Sequence, residues 1–192
     1  MRLSLRIAII VAVQTAVLLV MVGLRQWTLT TGTPVVLETQ PIDPRSLFSG
    51  DYVRLNYKVS DLKLGELAGD KEFRRGDKAY VVLKRGEDYW TAVSVHRERV
   101  SAAEGQVVLK GRVETVADRM WDRQLRKWSE GKHMSVRYGI EDYFVPEGEG
   151  RDLERPKPGE KVEIEIAVDR YGNAGIRAVL VNGKPRYVER LL

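Results

Sequence analysis

From residue 7 to residue 24 the chain reads "IAIIVAVQTAVLLVMVGL", 18 positions without a charge, with Gln14 and Thr15 as the only polar members. The segment is apolar all round rather than along one stripe, which predicts a membrane-crossing helix and not an amphipathic helix on a soluble core. As a helix it rises about 27 Å, close to the roughly 30 Å hydrocarbon core of a bilayer. Beyond it the apolar period falls to two, the spacing of strands. "VVLET" at 35–39 predicts a short strand ending before Pro41, and "DPRSLF" at 43–48 a tight turn or one helical turn. From Tyr52 onward, Val53, Leu55, Tyr57 and Val59 share one face, while Tyr52, Arg54, Asn56 and Lys58 share the other. "KAYVVLKRGEDYWTAVSVHRERV" predicts a hairpin turning at 85–88, and "QVVLKGRVETV" a strand in which Gly111 marks a bulge or a close approach. "MSVRYGIEDYFV" predicts a further strand, reached through a polar connection at 118–132 for which a helix is expected.

The C-terminal third alternates most strictly. "KVEIEIAV" places Val162, Ile164, Ile166 and Val168 inward and its glutamates outward, "DRYGNAG" turns the chain, and "IRAVLV" returns it. Asn182-Gly183 predicts a type I′ hairpin, and Pro185 confines the last strand to a sheet edge. About eight strands at short spacing give a mainly β fold. The expected organisation is a transmembrane anchor over residues 1–27 and an all-β domain over 28–192, barrel-like or sandwich.

Charge sharpens the membrane reading. The formal net charge is +5, yet Arg2, Arg6 and Arg25 flank the apolar run and no acid precedes Glu38. Without those three arginines, 29 basic residues face 27 acidic ones, interspersed, so no stripe for a nucleic-acid backbone emerges. Arg2, Arg6 and the amino terminus outweigh Arg25, which predicts a cytoplasmic N-terminus and an extracytoplasmic domain in the cytoplasmic membrane. Trp27 falls at headgroup depth. The competing reading, a cleaved signal peptide, lacks a small-x-small site in "MVGLRQW". There are no cysteines and only two histidines, His96 and His133, so thiolate chemistry is excluded and a multi-histidine metal centre is not expected. No cofactor is expected.

A glycine-acid pair opening an alternating strand occurs three times, at Gly50-Asp51, Gly76-Asp77 and Gly159-Glu160, and reads as turn punctuation. In the first copy Gly50, Asp51, Tyr52, Leu55 and Tyr57 read as mainly structural, Tyr52 first of all as a good strand former and Tyr57 as an inward ring whose hydroxyl needs a partner. Outward Tyr52, with Arg54 and Asn56, forms a candidate surface for a partner. Trp121 and Trp128, in the basic "WDRQLRKW", are a second candidate, suited either to a membrane surface or to the buried side of a short helix. The acidic "PEGEGRDLE" lacks calcium-loop spacing and reads as solvated, and Glu141 and Asp142 alternate in face, which argues against an acid–base pair.

"GDYVRLNY" at 50–57 resembles the pattern of the GDYXXLXY family of membrane-anchored bacterial proteins, matching at Gly50, Asp51, Tyr52, Leu55 and Tyr57. "YGIEDYFVPEGEGRDLE" at 138–154 is similar to that family's second shared block. The resemblance implies a bitopic membrane protein that often accompanies a multi-spanning one, and brings no activity with it. "LFSGDYV", "RRGDKAYVV" and "YFVPEG" are also similar to phrases of type I signal peptidases. That family's nucleophilic serine would fall at Pro41 or Ile42, and its lysine base on a strand that holds no lysine between Glu87 and Val108. Ser46 and Ser49 lie too near the Gly-Asp turn to substitute. The expectation is therefore a membrane-anchored, non-catalytic extracytoplasmic module that binds a membrane protein or peptide. A signal-peptidase-like serine hydrolase with displaced catalytic residues is the alternative.

Overall fold

The computed structural model describes residues 3–40, 52–122, 127–144 and 160–189. Helix α1 runs from Leu3 to Thr31, and within its stretch Ser4–Thr31 an 18-residue window has a mean hydropathy of 2.7, long and apolar enough to cross a membrane. After Gly32 the fold is mainly β. Strand β1 (Thr33–Gln40) is followed by β2 (Tyr52–Arg54), β3 (Asn56–Tyr57), a 3-10 turn η1 (Lys58–Ser60), β4 (Asp61–Lys63) and β5 (Ala68–Gly69). Next come β6 (Lys78–Arg85), β7 (Trp90–His96), β8 (Gln106–Asp122), β9 (Lys127–Arg137) and β10 (Asp142–Phe144). The chain closes with β11 (Val162–Val168), β12 (Ala174–Val181) and β13 (Lys184–Val188).

These strands form a five-stranded sheet in the order β13-β12-β11-β1-β3 and a six-stranded one in the order β4-β9-β8-β6-β7-β5. A two-stranded pair, β10-β2, accompanies them. The sheets curl into a half-barrel rather than a flat sandwich. Among the described residues all pairings are antiparallel except the short β5–β7 contact. The core lies between the sheets and draws on both: Val35, Leu37, Ile164 and Ile166 from one, Val81, Leu83, Leu109 and Met134 from the other. Of these, Ile164 and Ile166 are the inward positions that the period-two spacing assigns.

The terminal hairpin follows the sequence closely. Asn182 and Gly183 both have positive φ, 52° and 73°, as a type I′ turn requires, and β13 with Pro185 is an outer strand. Gly111 marks a close approach: a Cβ there would stand 2.4 Å from Val136 Cγ1 and 2.9 Å from the Arg137 carbonyl oxygen.

Four expectations need correction. No helix occurs among the described residues of 118–132: 118–122 continue β8 and 127–132 belong to β9, a long two-stranded ribbon with Trp121 directly opposite Trp128. The seven-residue spacing of the tryptophans comes from that pairing, not from two helical turns. Of the two register shifts in this pairing, at 113–115 and 117–119, the second falls where the predicted strand ends and interrupts the alternation there. Residues 52–59 are not one strand either. Leu55 breaks the ladder, so β2 pairs with β10 and β3 with β1, while Leu55, Tyr57 and Val59 keep their inward parity. "MSVRYGIEDYFV" likewise divides, into β9, a turn with Gly139 at φ 81°, and β10. Lastly, Glu163 on β11 is buried rather than outward, because the sheet is covered beside it: its carboxylate accepts from Tyr89 at 2.7 Å and from the Gly183 amide at 2.8 Å.

The helix is part of this packing. Thr28 and Leu29 are buried, and α1 touches both β11 and β12. The Thr28 hydroxyl donates to Asp169 at 3.2 Å in the turn between those strands. Gly32 and Gly175 leave the necessary room: a Cβ on Gly32 would meet the Thr28 carbonyl at 2.5 Å, and one on Gly175 would meet Leu29 Cδ2 at 2.8 Å.

Candidate functional site

The two sequence blocks singled out above meet in space. The Leu55 amide donates to the Glu141 carbonyl at 2.6 Å, and Tyr57 Oη donates to the Ile140 carbonyl at 2.5 Å. Reciprocally, Tyr138 Oη donates to the Val59 carbonyl at 2.6 Å. The backbone register adds Arg54 opposite Asp142, Val53 opposite Tyr143 and Tyr52 opposite Phe144. Tyr57 of the first block thus satisfies a carbonyl of the second, and Tyr138 of the second satisfies that of Val59, two residues past the first.

Glu141 fixes the turn between the partners. Its carboxylate accepts from the Tyr138 amide at 2.5 Å and the Gly139 amide at 2.9 Å, two donors that the end of β9 leaves without a ladder partner. Arg137 spans Glu141 at 3.6 Å and Asp142 at 3.2 Å. Burial, then the Glu141 and Asp142 carboxylates, push the Tyr57 phenol well above its ordinary range. Burial, Glu141 and Asp61 do the same to Tyr138. Both rings remain neutral donors at physiological pH. Of the expected motif residues, Leu55 and Tyr57 are core positions and Asn56 is half-buried on β3. Gly50 and Asp51 lie outside the described residues, as do Ser46, Ser49 and the acidic loop. Tyr52 and Arg54 hold register positions on β2, and Trp121 and Trp128 hold opposed positions on the ribbon. Sequence reasoning missed Glu141 as the organiser; the signal was a glutamate two residues after a glycine, at a strand end with amides to satisfy.

Beside this junction the half-barrel stays open. A groove of about 430 Å³ runs between η1–β4 and the turn joining β6 to β7. Leu62, Leu67, Trp90 and Ala92 give it apolar walls. Its rim carries Lys58 paired to Glu38 at 2.7 Å and Lys63 paired to Glu66 at 3.4 Å. Tyr89 closes one end through Glu163, and burial together with that carboxylate raises its phenol above the ordinary range. The volume suits a small ligand or a few side chains of a peptide. Away from the groove lining, Ser60 Oγ and His133 Nε2 are buried without a hydrogen-bond partner among the described residues. Among the described residues no cluster of three or more metal-ligating side chains occurs.

Residues 14–179 match the family described as "GDYXXLXY protein". The chain belongs to that family. The match takes in most of the apolar helix, the motif strand, its partner block and the β11–β12 hairpin. No curated protein and no solved structure matches the chain, and the likeness to type I signal peptidases gains no support.

Proposed function

We propose that this GDYXXLXY-family protein is an uncleaved, membrane-anchored, non-catalytic module whose β domain faces away from the cytoplasm. There it holds an extended segment of a membrane-protein partner. The observation that carries the reading is the groove where the six-stranded sheet fails to close. One wall is β4, at the end of that sheet, and the other is β7 with its turn. A terminal strand beside apolar walls and paired rim charges suits β-strand addition, with backbone pairing for affinity and pockets for alternate side chains. The motif strand leads directly into it, since Lys58 and Val59 follow Tyr57 and line the groove.

The docking of α1 supports a permanent anchor. Removing the helix would uncover the surface that Thr28 and Leu29 bury and take away a hydrogen-bond donor of Asp169. A cleaved signal peptide has no reason to be packed on the mature domain. The arginine flanks favour a cytoplasmic N-terminus.

Photoreactive side chains placed in cells at Thr91 and Glu66, beside or in the groove, and at Arg186 on β13 test the binding reading. Crosslinks to one membrane protein from Thr91 and Glu66 but not from Arg186 are expected. Crosslinks from Arg186 alone, or from none of the three, contradict it.

A further inference from the structure

A row of like charges crosses the outer face of the six-stranded sheet. Register sets Lys78 on β6 opposite Arg112 on β8, and Arg112 opposite Arg137 on β9. With strands about 4.8 Å apart, three cations stand within about 10 Å, an arrangement that repels itself. Arg137 is answered by Glu141 and Asp142, whereas Lys78 and Arg112 have no ion-pair partner among the described residues. The row borders a groove of about 720 Å³ that is also lined by Arg75 and Lys110, with Glu114 as its one acid. Nothing in the fold requires this concentration of charge.

The groove leads to the end of the helix. Asn173 and Ala174 line it, and the Lys110 amide donates to the Gly172 carbonyl at 2.8 Å in the turn that also holds Asp169 against Thr28. Thr28 lies four residues past Leu24, about 6 Å of helical rise. That is the thickness of the headgroup layer on one side of a bilayer, about 5–7 Å. At the same turn Tyr171 is exposed between the guanidinium groups of Arg170, 4.8 Å from its ring centre, and Arg99, at 5.2 Å. The Asp169 carboxylate there is consumed by Thr28, Asn173 and the Tyr171 amide.

We infer that this groove and turn bind the phosphate-bearing headgroups of anionic phospholipids and so seat the domain against its membrane. The inference rests on α1 being an anchor, since that puts the turn at headgroup depth. The test uses the full chain in a neutral detergent, with phosphatidylglycerol or phosphatidylcholine added and bound lipid read by native mass spectrometry. Phosphatidylglycerol is expected to be retained about 25-fold more tightly, and the Lys78→Glu/Arg112→Glu variant to lose that preference, at about fivefold for each of the two cations removed. Lys184→Glu/Arg186→Glu, on β13, should leave it unchanged. Lys78→Gln serves in place of the double variant if the latter melts early. Equal retention of the two lipids by the wild type, or unchanged preference in a normally melting Lys78/Arg112 variant, overturns the inference. Displacement of the lipid by an equal concentration of inorganic phosphate assigns the groove to a soluble anion and overturns it too. Membrane fractionation of the same chain judges the anchor separately: release by alkaline carbonate refutes the anchor, whatever lipid the groove selects.

Discussion

A hydroxyl buried in an apolar core must donate, and Tyr57 donates to the carbonyl of Ile140 while Tyr138 donates to that of Val59. Tyr57→Phe keeps the ring but orphans a carbonyl, and is expected to cost about 1–3 kcal/mol. Tyr57→Ala also opens a cavity and should cost about 3–5 kcal/mol. Chemical denaturation of the two variants checks the order, and a Phe variant as stable as wild type contradicts the role given to the hydroxyl. Both phenols titrate higher in the fold than in the unfolded chain. Above about pH 10 the unfolded state therefore releases protons that the folded state keeps. Their contribution is complete below that pH and falls as pH rises, by about 1.4 kcal/mol per unit for each tyrosine. The denaturation midpoint should decline more gently with alkali in Tyr57→Phe than in wild type; parallel declines would contradict this. The burial of Leu55 and Tyr57 was legible from strand parity alone. Their hydrogen-bond partners were not, because a carbonyl such as that of Ile140 carries no side-chain signature.

At the scale of elements, alternation recovered β11 and β12 in spite of a register shift at Glu165/Ile166, and missed part of the longer ribbon. β11 and β12 were readable because Val162, Ile164, Ile166 and Val168 repeat without interruption. The part of the β8–β9 ribbon at 118–132 was not, since a register shift at 117–119 displaces its apolar positions. The end of α1 was also hidden: Thr28 and Leu29 look like a polar tail and one more apolar residue, and only the β11–β12 hairpin turns them into a buried contact. Gly32 should prove the stricter of the two glycines at that junction. Its added Cβ would strike backbone, the Thr28 carbonyl and the Val168 nitrogen, whereas Gly175 faces the movable tip of Leu29. Gly32→Ala is expected to destabilise by about 1–3 kcal/mol and Gly175→Ala by less. Thermal melts of the full chain in detergent, with protease sensitivity at residues 28–32, measure the difference. The reverse order would mean that the helix end is not held as described.

For the molecule as a whole, the helix and the half-barrel are one packed unit. Asp169 shows the coupling: burial alone would raise its carboxyl, but hydrogen bonds from Asn173, the Tyr171 amide and Thr28 outweigh it and hold the group below its ordinary range. The domain thus holds the last turn of α1, just beyond the apolar run that the sequence marks as a membrane span. A mainly β fold after one apolar helix was legible from period and length. The open groove was not, because closure of a curled sheet depends on pairings between β4, β9 and the β6–β7 hairpin that no local window contains. The most direct measurement is the mass and location of the chain recovered from cells, with alkaline phosphatase fused after Leu192 as a reporter of side. The account predicts an intact chain, 21.9 kDa without the fusion, that stays in the membrane under alkaline carbonate and carries active phosphatase. A shortened, soluble product lacking the helix, or an inactive phosphatase on an intact chain, would contradict it.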